Sequence, residues 1–186
     1  MSTIPAHLDL LYPPEAIEEQ LVILSAQLDT WAAESKAETG KLLLCICLLR
    51  GGAFFFSDLL LRMRQSVEPA FCRARSYDKN TNKPLDNIEI DWQSTKLAGR
   101  DIVLFDNICD SGRTFKEAAG QLLAQGARSV RSVSMVYRVR PDSLHTPDLT
   151  GFTFAGKEWL VGYGLRDHGD LLMNTRVIYT ARDTSY

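Results

Sequence analysis

Histidine is scarce in this chain. His7, His145 and His168 are the only three, and their spacing forms no metal-ligand set. The four cysteines, Cys45, Cys47, Cys72 and Cys109, include no Cys-x-x-Cys pair. That argues against zinc-ribbon and thioredoxin-type chemistry and predicts reduced thiols in a cytoplasmic protein. Basic residues are not in excess: 21 Lys and Arg stand against 23 Asp and Glu, a net charge of −2, so no broad positive field points to nucleic acid. The longest apolar run, Leu42–Leu49, falls far short of the roughly 20 residues a membrane helix needs. No basic-then-apolar leader opens the sequence, and no membrane partner is expected. Internal repeats and low-complexity linkers are also missing. A chain of 186 residues, 45% hydrophobic, is expected to be one domain over residues 1–186 with a single substantial core.

What is present is organised around Ile102–Thr114. Ile102–Phe105 is an uninterrupted apolar run, the pattern of a strand buried on both faces of a parallel sheet. It stops at Asp106-Asn107, and Asp110-Ser111-Gly112-Arg113-Thr114 reads as a small polar turn. Thr114-Phe115-Lys116-Glu117 has the form of a capping box. Phe115, Ala118, Ala119, Leu122 and Leu123 then repeat at helical spacing up to Gly126, placed as a C-cap glycine. A turn between a parallel strand and a helix N-terminus aims backbone N–H groups and the positive end of the helix dipole at an anion. Ser111 and Thr114 add hydroxyls, Gly112 permits close approach and Arg113 adds a cation, a set that suits a phosphate monoester. The carboxylates just upstream suit sugar hydroxyls or a hydrated Mg²⁺. Taken alone, an ordinary capped βα turn shows part of the same pattern.

The rest of the chain alternates in the same way. Met1–Leu11 reads as a loose arm. Pro13-Pro14 with Glu15, Glu18 and Glu19 predicts a helix start, with Ile17, Leu21, Leu24, Leu28 and Trp31 on one face and Gly40 at the end. Leu42–Leu49 is a second apolar strand that runs into Arg50-Gly51-Gly52 and a helix over Ala53–Arg64. Val67–Ala74 and Ile88–Trp92 read as strands flanking the polar excursion Asp78–Asp86. Val130–Tyr137 is a strand, Arg138–Asp148 a loop, Trp159–Gly164 a short strand and turn, and Arg176–Thr180 a last strand. Alternating strands and helices predict an α/β fold. It is a parallel sheet flanked by helices, with a small hood from the terminal segments over its carboxyl edge.

Asp106-Asn107-Ile108-Cys109-Asp110-Ser111-Gly112-Arg113-Thr114, after a buried strand and before a helix, resembles the phosphoribosyl-pyrophosphate (PRPP) motif of type I phosphoribosyltransferases. The resemblance covers most of the chain and is nearest to the hypoxanthine-guanine phosphoribosyltransferases. It implies a purine-salvage enzyme that moves a ribosyl phosphate from PRPP to a purine ring nitrogen and expels pyrophosphate, with Mg²⁺ as cofactor. It also implies a homodimer or homotetramer. By the same resemblance, Asp110 is the catalytic base, and Asp106, Asn107, Asp110, Ser111, Gly112, Arg113 and Thr114 hold the ribose phosphate. Leu49, Arg50, Gly51 and Gly52 form the pyrophosphate loop, which in relatives can carry a non-proline cis peptide. Ser76 and Tyr77 start a lid, Tyr137, Trp159 and Leu160 meet the base, and Asp106 and Asp167 reach the metal.

Several positions depart from the family pattern. It usually has Glu-Asp where this chain has Asp106-Asn107. The lysine that contacts the 6-oxo group is matched by Tyr137, with Arg138 next to it and expected on the opposite face. The metal-binding aspartate is matched by Arg166, with Asp167 one residue on, and a later basic residue by Leu172. Two functions follow: a purine phosphoribosyltransferase, or a non-catalytic PRPP- or nucleotide-binding regulatory protein built on a degenerate site.

Overall fold

A computed structural model describes residues 5–77, 84–92, 96–167 and 171–182. In chain order the elements are β1 (Leu8–Tyr12), α1 (Pro14–Thr39), β2 (Leu44–Leu49), α2 (Ala53–Leu60), β3 (Glu68–Tyr77), β4 (Pro84–Asp91), β5 (Asp101–Cys109), α3 (Arg113–Ala124), β6 (Ser129–Arg138), β7 (Leu149–Phe154), β8 (Trp159–Val161) and β9 (Ile178–Ala181). Six strands form one sheet in the order β4-β3-β2-β5-β6-β7. Every neighbour is parallel except β4, which runs antiparallel along the β3 edge.

The apolar runs are continuous because the sheet is covered on both sides. Alternate residues of β2 and β5 go to opposite cores. Cys45, Cys47, Val103 and Phe105 pack with Ile17, Leu21, Leu24 and Leu28 of α1 and Phe55 and Leu59 of α2. Leu44, Ile46, Ile102 and Leu104 pack with Phe115, Ala118 and Leu122 of α3. Each large side chain so enclosed contributes about 1.5–3 kcal/mol. All four cysteines are free and buried, Cys45 and Cys47 in β2, Cys72 in β3 and Cys109 in β5, and burial pushes their thiols up to about 12. None is a thiolate near neutral pH.

The hood is a three-stranded antiparallel sheet, β1-β9-β8. Part of the segment expected to be a loose arm is therefore strand β1, held by pairing to β9 and by the buried Leu8. Strand β5 also runs past the expected stop. Asp106, Ile108 and Cys109 keep their pairing with Ser134, Val136 and Tyr137, so the acidic pair lies inside the strand. The capping box does not form. Gly112 occupies the N-cap of α3, and Glu117 accepts a hydrogen bond from the Arg113 guanidinium at 2.7 Å one turn away. Ser76 and Tyr77 end β3, while the lid residues expected beyond them lie largely outside the described residues. Among the described residues no helix is long and apolar enough to cross a membrane.

Candidate active site

Parallel strands deliver their loops to one edge, and β2 and β5 are neighbours at the centre of the sheet. The loops after them therefore meet. The Leu49–Arg50 peptide is cis. The glycine turn that follows rests on β5: a Cβ on Gly51 would come within 2.9 Å of the Asn107 amide. From above, Gly164 closes the same contact. At its positive φ of 91°, a Cβ there would overlap the Gly51 carbonyl oxygen and approach Asn107 Nδ2 to 2.9 Å. The buried Asn107 is thus clasped between two glycine loops.

Around this clasp lies a cleft of about 360 Å³. Leu49, Arg50 and Gly51 border it from β2, Asp106 and Asn107 from β5, Asp110 and Thr114 from the following turn, and Trp159 and Leu160 from the hood. These sequence-selected residues converge on one space. Trp159 is 40% exposed, and its indole N–H donates to the Arg166 carbonyl at 2.8 Å, which fixes the ring at the cleft edge. Ser111, Gly112 and Arg113 do not line the cleft. Gly112, at φ 75°, is buried against the β6–β7 loop, and Leu144 N–H donates to the Ser111 carbonyl at 2.8 Å. The helix behind them carries no side-chain cap.

Two expected residues are elsewhere. Tyr137 points to the α3 side, packs with that core and brings its hydroxyl to 3.4 Å from Thr146 Oγ1. Arg138 enters the cleft instead. The reason is a slip in alternation: Met135 and Val136, adjacent in sequence, both join the α1-side core, and the residues after them exchange faces. Arg138 Nε lies 2.7 Å from Asp110 Oδ1, its guanidinium also donates to the carbonyls of Gly156 and Glu158, and it stacks over the Phe154 ring at 5.1 Å. Asp167 is likewise withdrawn. It is 7% exposed and meets His7 Nε2 at 3.1 Å, while Arg166 lines the cleft in its place.

Burial raises the Asp106 carboxyl from 3.8 to about 7, against the opposing hydrogen bond from the Asn107 N–H at 2.8 Å. The folded state binds the extra proton between those values. The resulting stability is full below pH 4 and is lost as pH rises through 7. The stability of Asp106→Asn relative to wild type should therefore rise by about 3 kcal/mol between pH 5 and pH 8. Thermal melts at the two pH values check this, and an equal loss at both would contradict it.

No group of three or more His, Cys, Asp or Glu among the described residues could cage a metal. Of the remaining donors, the Asp106 carboxylate in the cleft would fit a hydrated Mg²⁺, an ion that commonly takes one or two carboxylates and keeps several waters. Asp167, held by His7, does not fit this role.

The sequence profile of the phosphoribosyl transferase domain matches residues 18–167. A hypoxanthine-guanine phosphoribosyltransferase of Staphylococcus aureus is 28% identical over 182 residues, 96% of each chain. One from Mycobacterium bovis is 27% identical over 164 residues, 84% of this chain and 77% of that one. The crystal structure of a hypoxanthine phosphoribosyltransferase from S. aureus superposes with a TM-score of 0.80 at 26% identity, covering 94% of this chain and 92% of the other. With the domain profile spanning the glycine loop, the acidic strand, the Asp110–Thr114 turn and the hood segment around Trp159, the chain belongs to the phosphoribosyl transferase domain family.

Proposed function

We propose that residues 1–186 act as one purine phosphoribosyltransferase domain that moves the 5-phosphoribosyl group from PRPP to a 6-oxopurine, hypoxanthine or guanine, and releases pyrophosphate. The observation that carries this reading is the convergence of three recognition elements on one cleft: the Arg50-Gly51 turn, the Asp110 and Thr114 ends of the turn after β5, and the Trp159 ring. The uncapped start of α3 supplies amides for the 5-phosphate around Ser111, Gly112, Arg113 and Thr114. Asp106 and Asn107 face the ribose. Leu49, Arg50, Gly51 and Gly52 hold the pyrophosphate. Trp159 and Leu160 offer a flat apolar face to the purine. Ser76 and Tyr77 begin the lid that excludes water. Mg²⁺, when bound, withdraws charge from the leaving pyrophosphate. The protein works in the cytoplasm as a homodimer or homotetramer, for which exposed Phe54, Leu61 and Phe71 offer apolar surface.

Asp110 takes the purine N7 proton as the other ring nitrogen attacks the ribosyl centre. Its carboxylate is half exposed and paired with Arg138, so substrate entry has to loosen that pair. The same guanidinium lines the cleft and suits a 6-oxo acceptor. The alternative, a PRPP- or nucleotide-binding regulator, is favoured by that ion pair, because it occupies the group that would accept the proton. Steady-state pyrophosphate release over hypoxanthine, guanine, xanthine and adenine at fixed PRPP tests the reading. Hypoxanthine and guanine should exceed adenine by about tenfold or more in kcat/KM, since a base lacking the acceptor strands a buried donor. Arg138→Ala should erase that preference, and Tyr137→Phe should leave it unchanged. No release with any base would favour the binder.

A further inference from the structure

The turn Gly162-Tyr163-Gly164 takes left-handed backbone at three successive residues, with φ of 100°, 49° and 91°. Glycine adopts that conformation freely, and its two positions here admit nothing larger. A Cβ on Gly162 would strike the Val177 carbonyl oxygen, and one on Gly164 the Gly51 carbonyl oxygen. The middle residue is a tyrosine, for which a positive φ is uncommon and costly. That cost has to be offset by what the side chain does. The Tyr163 ring is buried in the core on the α1 and α2 side, and its hydroxyl donates to Asp58 Oδ2 at 2.9 Å. Burial and the neighbouring Asp58 carboxylate hold the phenol pKa above its ordinary value, so the hydroxyl stays a donor. Neither residue borders the cleft.

The bond joins the hood to the main body beside the site. Asp58 lies in α2, whose first turn closes on the glycine loop: Ala53 N–H donates to the Arg50 carbonyl at 3.2 Å, and Phe56 N–H to the Gly52 carbonyl at 2.9 Å. Tyr163 comes two residues after β8, the strand that carries Trp159 and Leu160. At the far edge of the main sheet, Tyr12 of β1 stacks on Phe152 of β7 at 3.8 Å, and β1 is linked to β8 through β9. The hood thus rests on two supports, and the Asp58 support is the one next in sequence to its cleft-facing residues. We infer that Tyr163 and Asp58 are positioning residues for the purine: their bond tethers the Gly162–Leu165 turn to α2 and so fixes Trp159 and Leu160 over the cleft. Base recognition then depends on a hydrogen bond made outside the cleft. Its bearing on the base rests on the transferase reading; the tethering of the hood to α2 does not.

The test compares the full chain of wild type with Tyr163→Phe, Asp58→Ala, Asp58→Asn and the combined Tyr163→Phe, Asp58→Ala variant, well below every Tm. Steady-state rates give KM for hypoxanthine at saturating PRPP and KM for PRPP at saturating hypoxanthine. Tyr163→Phe, which keeps the ring, and Asp58→Ala should each raise KM for hypoxanthine by about fivefold or more and leave that for PRPP within about twofold. Asp58→Asn, whose amide oxygen still accepts from the phenol, should stay within about twofold of wild type in both. The combined variant should be no worse than the worse single one, because both changes remove the same bond. Amide exchange read by mass spectrometry should quicken by about tenfold or more at residues 159–165 in Tyr163→Phe and stay unchanged in β5 and β6. Unchanged hypoxanthine KM and hood exchange, a parallel rise in both KM values, or additive losses in the combined variant would overturn the inference and leave the transferase reading standing. If wild type turns over no base, that reading falls by itself and exchange decides the tether: quickening confined to residues 159–165 upholds it, and unchanged exchange overturns it.

Discussion

Gly112→Ala should lower stability by about 2–4 kcal/mol and abolish binding of PRPP and of nucleoside monophosphates. Two costs add. Gly112 sits at φ 75°, where a residue with a Cβ pays about 1–2 kcal/mol. That Cβ would also lie 2.6 Å from His145 N and 2.7 Å from His145 O. These are backbone atoms and cannot swing away. His145 itself is anchored: its Nε2 is 2.7 Å from Ser132 Oγ, which donates onward to Asp148 Oδ2 at 2.9 Å. With that hydroxyl proton committed to Asp148, the imidazole has to be the donor to Ser132. Burial holds the His145 pKa below its ordinary value, against the pull of Asp148. For a chain of this length the loss corresponds to a fall in Tm of roughly 4–16 °C. Thermal melts with and without PRPP measure both effects. An alanine variant with wild-type Tm and ligand shift would show that the β6–β7 loop does not brace the phosphate turn.

Asp110→Asn should cut kcat by about 10²-fold or more and change PRPP affinity by less than about threefold. The amide keeps the shape of the side chain and can still accept a hydrogen bond from Arg138, but it cannot take the purine proton. Pre-steady-state rates and a direct PRPP titration separate the two quantities. Parallel losses in both would make Asp110 a binding residue, and full activity would remove it from the mechanism.

The centre of the fold was legible because burial on both faces leaves a simple mark. Leu42–Leu49 and Ile102–Phe105 are apolar at every position, and each proves to feed two cores. The glycine turn and the Asp110–Thr114 turn were legible as strand–turn–helix units, and their adjacency follows from β2 and β5 being neighbours. The hood was harder. Strand β1 has one buried residue, Leu8, and is defined by its partner β9 far along the chain, which no local pattern reports. Strand β7 is half-buried apart from the exposed Thr153, and contains Gly151, a residue that reads as a break. Here Gly151 serves close packing, since a Cβ would strike the sulfur of Met135.

In the site, the sequence pattern and the structure differ by one residue. Strict alternation along β6 sets Tyr137 and Arg138 on opposite faces, and it does so in the structure, but the slip at Met135 and Val136 exchanges which one meets the cleft. Arg166 and Asp167, just after the tight turn Gly162–Leu165, likewise part: Arg166 is exposed at the cleft and Asp167 is buried against His7. His145 was invisible as a functional neighbour because its contact with Gly112 spans a loop. The available signal was a polar segment containing Pro141 and Pro147 that had to return to the sheet edge. Gly112 carried a partial message: its freedom of backbone was readable, its need for space beside His145 was not.

The central claim is that this cleft carries out transfer and does not merely hold a phosphorylated sugar. The most direct measurement is a single turnover with the full chain in excess over labelled PRPP, with hypoxanthine and Mg²⁺, following the label by chromatography. The account predicts conversion of PRPP to the purine nucleoside monophosphate with one pyrophosphate released per product, dependent on the base and lost in Asp110→Asn. Recovery of intact PRPP bound to the protein, with no nucleotide formed by any 6-oxopurine, would contradict it.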